Sequence, residues 1–305
     1  YDTSSGINVG PQMKPFEDEV LSFDKVYERF NEYAAWLLNL YVNTMNVIHY
    51  MHDKYAYEKA QMALHDTAVH RFMAFGIAGL SVITDSFSAI KYARVTPIRD
   101  ENGYITDFKT EGDFPKFGND DDRVDMIAKE LTHSVITELR KTPTYRNAEH
   151  TLSVLTITSN VMYGKHTGAT PDGRKAGIPL AEGGISPYQG RNTSGVSSTL
   201  ASVAALDQTR LSHGSILNLR ISKKAVESER NLEKLADALR IFCETGGDLV
   251  QFNFVDTNTL RDAQQHPERY RDLLVRVATY SAYFVELSRE LQDDIIARFE
   301  FSDIG

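Results

Sequence analysis

Few residues in this sequence can do covalent chemistry, and their spacing says which chemistry is open to them. The one cysteine is Cys243. A single thiol excludes an internal disulfide and a cysteine-cluster zinc site. No basic residue adjoins it, so it reads as a small core hydrophobe rather than an activated nucleophile. His49 and His52 sit three apart, as a helical metal pair would. Neither a third ligand nor HExxH spacing accompanies them, and they read as polar positions on a packed helix. Asn119-Asp-Asp-Asp122 lacks the twelve-residue ligand spacing and terminal Glu of a calcium loop. Its carboxylates suit instead the positive end of a helix over Val124–Lys141. No metal site is expected. The glycine-rich, basic loop Tyr163–Gly177 could cradle a phosphate through its N–H groups, although it is neither a Walker nor a Rossmann loop. It continues through Glu182-Gly-Gly-Ile-Ser-Pro187, and its Gly and Pro residues predict a set path over the surface. Near the end, Arg271–Phe284 places two apolar runs around a small-residue tip, Ala278-Thr279, as a buried finger with one exposed turn would. No Ser/His/Asp set surrounds Thr279, so its hydroxyl is not read as a nucleophile.

The elements that must position these residues follow from periodicity. Residues 1–22 read as an arm. A helical pattern runs from about Asp24 to Lys59, with apolar residues on almost every face between Tyr33 and Ile48, which predicts a largely buried helix. Further helical patterns cover Lys59–Ala74 and Ser81–Tyr92, with a break at Gly76–Gly79. A hairpin follows: Val95–Arg99, turn Asp100–Gly103, Tyr104–Lys109. Leu152–Thr158, Ser215–Ile221 and Leu249–Val255 read as strands. Thr193–Ala205 and Asn231–Glu244 read as helices, the second stopped at Gly246-Gly247. An amphipathic helix over Leu287–Arg298 closes the chain. Alternating strands and helices predict one α/β domain.

Composition bounds the partners. The chain has 305 residues and a net charge of −9, with a pI near 5.5. That argues against nucleic acid or an anionic membrane surface, which need a concentrated basic face. No apolar run approaches a membrane span, and YDTSSGINVG lacks the regions of a signal peptide. With one cysteine, a cytoplasmic setting is expected. The start at Tyr1 leads us to expect a fragment or a processed chain.

Several stretches resemble pyruvate formate-lyase, the formate C-acetyltransferase family of glycyl radical enzymes: IHYMHDKYAYEKAQMALHD (48–66), MAFGIAGLSVITDSFSAIKYA (73–93), PIRDENG (97–103), FPKFGNDDDRVD (114–125) and SVLTITSNVMYGKHTGATPDGRKAG (153–177). From about Glu182 onward, GGISP, HGSILNL and the stretch from Arg261 to Arg298 look more like the diol dehydratase and choline lyase branch. The finger resembles the family's R-V-x-G-Y-x-x-x-F loop: Arg276, Val277, Tyr280 and Phe284 match, and Thr279 stands where the radical glycine would.

The resemblance implies an α/β fold, the C-terminal part of the ten-stranded α/β barrel of glycyl radical enzymes. It divides the chain into an arm (1–22) and a C-terminal α/β domain (23–305). In that domain 23–180 is pyruvate formate-lyase-like and 250–305 is the glycine-radical-loop region. It implies acetyl transfer between pyruvate and coenzyme A, giving formate, with His65 of Ala-Leu-His-Asp contacting coenzyme A. The family's cysteine pair and carboxylate-binding arginines are not among the residues present, and Cys243 matches neither cysteine. Expected partners are an N-terminal half or a full-length chain, and a radical-activating enzyme; unpaired strand edges predict association. Thr279 makes the isolated chain an expected non-catalyst, because a glycine radical must flatten and delocalise into both flanking amides and a β-branched side chain crowds that state. Two other readings stay open: a catalytically silent scaffold or truncated relic, and part of a diol dehydratase or choline lyase-type eliminase.

Overall fold

The computed structural model describes residues 7, 9–12, 14–55, 60, 68–156, 158–298, 300–302 and 304. Helix α1 (Phe23–Lys54) opens the body. Strand β1 (Phe72–Gly76), helix α2 (Leu80–Tyr92), the strands β2 (Arg94–Arg99) and β3 (Ile105–Glu111), and helix α3 (Asp122–Leu139) follow. Then come β4 (Glu149–Ser153), the short α4 (Ser159–Lys165), α5 (Val196–Ala204), β5 (Leu217–Ile221), α6 (Glu229–Glu244), β6 (Val250–Asn253) and α7 (Thr257–Gln265). The chain ends with β7 (Leu274–Arg276), β8 (Ser281–Tyr283), α8 (Arg289–Ala297) and β9 (Glu300–Phe301). The fold is α/β: β1 pairs with β4, and β5 with β6 and β9, all in parallel. A parallel bridge between Val154 and Ser215 carries β4 onto the chain entering β5. Helices α2, α3, α5 and α6 cover the sheets with Phe87, Leu131, Leu200 and Phe242 in the common core. Among the described residues, no helix is long and apolar enough to cross a membrane.

Most expected elements form within a few residues of their sequence signals. The hairpin β2–β3 is antiparallel. Its turn is closed by the Asp100 carboxylate, which accepts from the Asn102 and Tyr104 N–H groups at 2.9 Å, with Gly103 at φ 83°. Such an Asx turn followed by a left-handed glycine is what Asp-x-x-Gly encodes. The acidic run does cap α3: Asp121 accepts from the Arg123 N–H at 3.0 Å.

Three expectations are corrected. Helix α1 is not largely buried. Only Leu38 and Val42 are enclosed, with Tyr41 edge-on to Phe75 at 5.1 Å, while Leu37, Leu40, Val47, Ile48 and Met51 are exposed. A third face of α1 carries Asn39, Asn46 and Asp53, seven apart, which bond Thr142, Tyr145 and their neighbours in the loop after α3. A 3.6-residue repeat returns every seventh residue to nearly the same side, so three polar residues form one docking line. The pattern Lys59–Ala74 does not end as a helix. Much of it lies outside the described residues, but Phe72–Ala74 belong to β1, where Met73 and Phe75 point inward by the two-residue strand repeat. Cys243 is exposed, because α6 turns Leu235 and Phe242 inward and leaves position 243 outside that stripe.

Asp125 is buried between α3 and α5, where its carboxylate accepts from the Ser202 hydroxyl at 2.9 Å. Burial raises its pKa to about 6, against a partial lowering by Ser202. The native state therefore holds this proton more tightly than the unfolded chain does. Stability falls as pH rises from about 4 to about 6, and the loss is complete above that window. Asp125→Asn keeps a partner for Ser202 and removes the ionisation. Thermal melts across pH 4–8 are expected to show a flatter profile and a variant more stable at pH 7 by about 2–3 kcal/mol.

Candidate functional site

Strands β5 (Leu-Asn-Leu-Arg-Ile) and β6 (Val-Gln-Phe-Asn) alternate apolar and polar residues, although a buried parallel pair ordinarily reads as continuously apolar. Leu217, Leu219 and Phe252 face the core. The register pairs Asn218 with Gln251 and Arg220 with Asn253. Since residues two apart share a face, these four side chains form a polar square on the other side of the sheet. With Glu182, Arg276 and Arg298 they line a narrow cleft with room for little more than a water molecule, about 20 Å³.

The hairpin β7–β8 is fastened to this square. The Asn253 side-chain amide accepts from the Arg276 N–H at 3.0 Å and donates to the Arg276 carbonyl at 2.7 Å. A side chain thus supplies the two bonds a neighbouring strand would give. Arg276 Nε donates to Gln251 Oε1 at 2.9 Å. From the other side Arg298 donates to the Val277 carbonyl at 2.7 Å, and Gln292 to the Phe284 carbonyl at 3.0 Å. The hairpin closes on itself through Val277 N–H to the Tyr280 carbonyl at 2.9 Å, leaving Ala278-Thr279 as a two-residue turn. Ala278 is buried and Thr279 exposed. Two-residue hairpin turns commonly need positive φ, the glycine region. Among the described residues only Asp120, Arg146 and Asn147 take positive φ without being glycine. Thr279 therefore sits in the turn without that strain.

Behind the tip lies a buried charge network. Arg298 bonds Asp294 at 3.1 Å, and Asp294 accepts from Asn160 at 3.2 Å. Burial works against the Arg298 charge, but Glu182 and Asp294 hold its pKa above the usual guanidinium value. Burial pushes the Glu182 carboxyl up, countered by Arg298 and by Asn218, which donates to it at 2.5 Å. Gly183 and Gly184 make this placement sterically feasible. A Cβ on Gly184 would lie 2.5 Å from the Val154 carbonyl oxygen, and one on Gly183 2.7 Å from that of Ile216. Only glycine lets the loop pass between β4 and β5 to deliver Glu182 inward.

The long loop follows a set path, but not wholly over the surface as expected: Leu180–Pro187 are buried. The Arg174 guanidinium donates to the carbonyls of Gly168, Lys175 and Ile178 and is buried by its own loop. Arg191 bridges Asp85 at 2.8 Å and Asp172 at 2.5 Å and lies 4.5 Å over the Tyr188 ring. Burial raises the Asp85 pKa to about 6, with Arg191 opposing.

Of the residues singled out from sequence, Thr279 takes the hairpin tip, beyond the cleft wall rather than in it. His65 lies outside the described residues. The ring centroids of His49 and His52 are 6.4 Å apart. Among the described residues, no group of three His, Cys, Asp or Glu side chains could hold a metal ion. The sequence reading missed Asn218, Arg220, Gln251, Asn253 and Arg298. The signal was available for the first four: strict alternation in two strands that a parallel sheet should bury. What the cleft can do by itself is position the hairpin; among the described residues, no cysteine or histidine lines it.

The pyruvate formate lyase-like family matches residues 1–164, and the glycine radical family matches 181–285. The PFL-like enzyme TdcE of Escherichia coli (strain K12) is 47% identical over 304 residues, covering 97% of this chain and 40% of that protein. The glycerol-bound B12-independent glycerol dehydratase from Clostridium butyricum superposes with a TM-score of 0.80 at 30% identity, over 94% of this chain and 39% of that one. A structure of 1,2-propanediol dehydration in Roseburia inulinivorans superposes equally well, with a TM-score of 0.80 at 32% identity, over 92% and 39%. The chain thus spans about two-fifths of the length of the relatives it matches.

Asn253→Ala deletes both bonds to Arg276 at a cost of about 2 kcal/mol to the hairpin. Hydrogen exchange over 271–284 is expected to quicken roughly 10–100-fold, while the core around Phe75 and Leu217 keeps its protection.

Proposed function

This chain belongs to the pyruvate formate lyase-like family of glycyl radical enzymes, and from that premise we propose that it is the C-terminal portion of a formate C-acetyltransferase-like enzyme. The reaction class is acetyl transfer from pyruvate to coenzyme A, with formate as the other product. The observation that carries this reading is the 47% identity to a PFL-like enzyme along almost the whole chain, above the 30–32% to the two dehydratase structures. The Asn253–Arg276 fastening supports a role for the hairpin as the radical-bearing loop, with position 279 at its tip.

In this reading the chain contributes the loop and its mounting. Cys243, exposed on α6 and far in sequence from the loop, is not the proposed sulfur nucleophile; the sulfur that accepts the acetyl group is proposed to lie in the share of the relatives' length that this chain does not match, in an N-terminal half or a full-length partner chain. His65 is the residue proposed to contact coenzyme A. A radical-activating enzyme is the second proposed partner. Thr279 makes the chain silent as it stands, because a Cβ and its branches crowd the planar backbone radical.

A second reading, part of a diol dehydratase-type eliminase, draws on the TM-scores of 0.80. One experiment separates the two. The Thr279→Gly chain, co-produced with the part of TdcE that has no counterpart here and activated without oxygen, is expected to form formate from pyruvate and coenzyme A. Product from glycerol or 1,2-propanediol instead would favour the eliminase. No turnover of any of these substrates would leave a scaffold without chemistry.

A further inference from the structure

The cleft behind the hairpin is lined by more hydrogen-bonding groups than its own residues satisfy. Arg220 and Arg298 line it and are only 5% and 7% exposed. The terminal nitrogens of both guanidiniums are in use. Arg220 donates to the Ile295 carbonyl and to the Thr257 hydroxyl, each at 2.9 Å. Arg298 donates to the Val277 carbonyl at 2.7 Å and to Asp294 at 3.1 Å. In both residues the Nε–H is buried without a partner among the described residues. Two amide oxygens on the same cleft share that condition, Asn218 Oδ1 and Gln189 Oε1. Neither amide can turn round to relieve it. Asn218 Nδ2 donates to Glu182 at 2.5 Å, and Gln189 Nε2 lies 3.4 Å from Asp294. A flip would set each amide oxygen against a carboxyl group.

A buried donor or acceptor without a partner is costly, and native proteins keep few of them. Two donors and two acceptors on one cleft define what would pair them. The space of about 20 Å³ suits one water molecule and nothing larger. Charge narrows the choice further. An anion would satisfy the two guanidinium N–H groups and be repelled by the two amide oxygens. A cation would meet the reverse conflict, facing two guanidiniums. Water accepts two hydrogen bonds and donates two, which matches all four atoms. These atoms are enclosed by residues of this chain itself, so a body laid against its outer faces would not pair them.

We infer that the cleft binds one structural water, which accepts from Arg220 Nε and Arg298 Nε and donates to Asn218 Oδ1 and Gln189 Oε1. This water ties strand β5 to the loop around Gln189 and to the end of α8. It thereby fixes the guanidinium that holds the Val277 carbonyl. The site belongs to the mounting of the hairpin and does not depend on which reaction the chain serves.

A high-resolution crystal structure of the chain is expected to show one water within hydrogen-bond distance of all four atoms. Neutron diffraction from deuterated crystals should find its two deuterons directed at Asn218 Oδ1 and Gln189 Oε1. Gln189→Met removes one acceptor and is expected to quicken hydrogen exchange over 271–284 roughly 3–10-fold, while β1 keeps its protection. Gln264→Met is the control: it deletes an amide bond of 2.7 Å to Asp293, away from the cleft, and should exchange as wild type does. Four results would each overturn the site: no density there, deuterons directed elsewhere, a bromide peak at that place in crystals grown from sodium bromide, or hairpin exchange that Gln189→Met changes no more than Gln264→Met.

Discussion

One side-chain amide joins the β5–β6 sheet to the β7–β8 hairpin. Asn253 gives the Arg276 backbone both a donor and an acceptor, so a short hairpin is tied to a parallel sheet without being a strand of it. A three-residue antiparallel pair has little stability of its own. Its position comes from that amide, from Arg298 on the Val277 carbonyl, and from Gln292 on the Phe284 carbonyl. The buried ions behind it serve the same end. Glu182 and Asp294 keep Arg298 charged in a setting that would otherwise disfavour it, and a charged donor gives the stronger bond to the carbonyl.

This mounting acts on the backbone of the hairpin and not on the side chain at its tip. That explains how Thr279 is accommodated. The turn Ala278-Thr279 avoids positive φ, so a β-branched residue fits without the penalty it would meet in a glycine-only conformation. If position 279 is the radical position, as proposed, loop geometry and radical chemistry separate: the geometry admits Thr279, and the chemistry depends on a carbon without a side chain.

Much of this was legible in the sequence. The hairpin Asp100–Gly103, the helix stop at Gly246 and the finger around Thr279 rest on local signals, and the structure forms each at its expected place; the finger, expected to be buried, is instead half on the surface, with Val275, Val277 and Phe284 inward and Leu274, Tyr280 and Tyr283 exposed. Other features were hidden because their meaning is tertiary. Apolar residues on every face of α1 suggested burial, but the core reaches only one face and polar residues at 39, 46 and 53 claim another. Cys243 looked like core until the stripe through Leu235 and Phe242 left it outside. Arg298 could not be found from spacing at all, since its partners Val277, Asp294 and Glu182 converge only after folding.

The central claim of the proposed function is that the β7–β8 hairpin is the mounting of a radical loop and that Thr279 at its tip cannot hold the radical. Electron paramagnetic resonance after anaerobic treatment with the radical-activating enzyme tests it most directly, on the chain as it stands beside Thr279→Gly. The account predicts a glycine-type doublet from Thr279→Gly and none from the unaltered chain. A doublet of equal strength from the chain carrying Thr279 would contradict it.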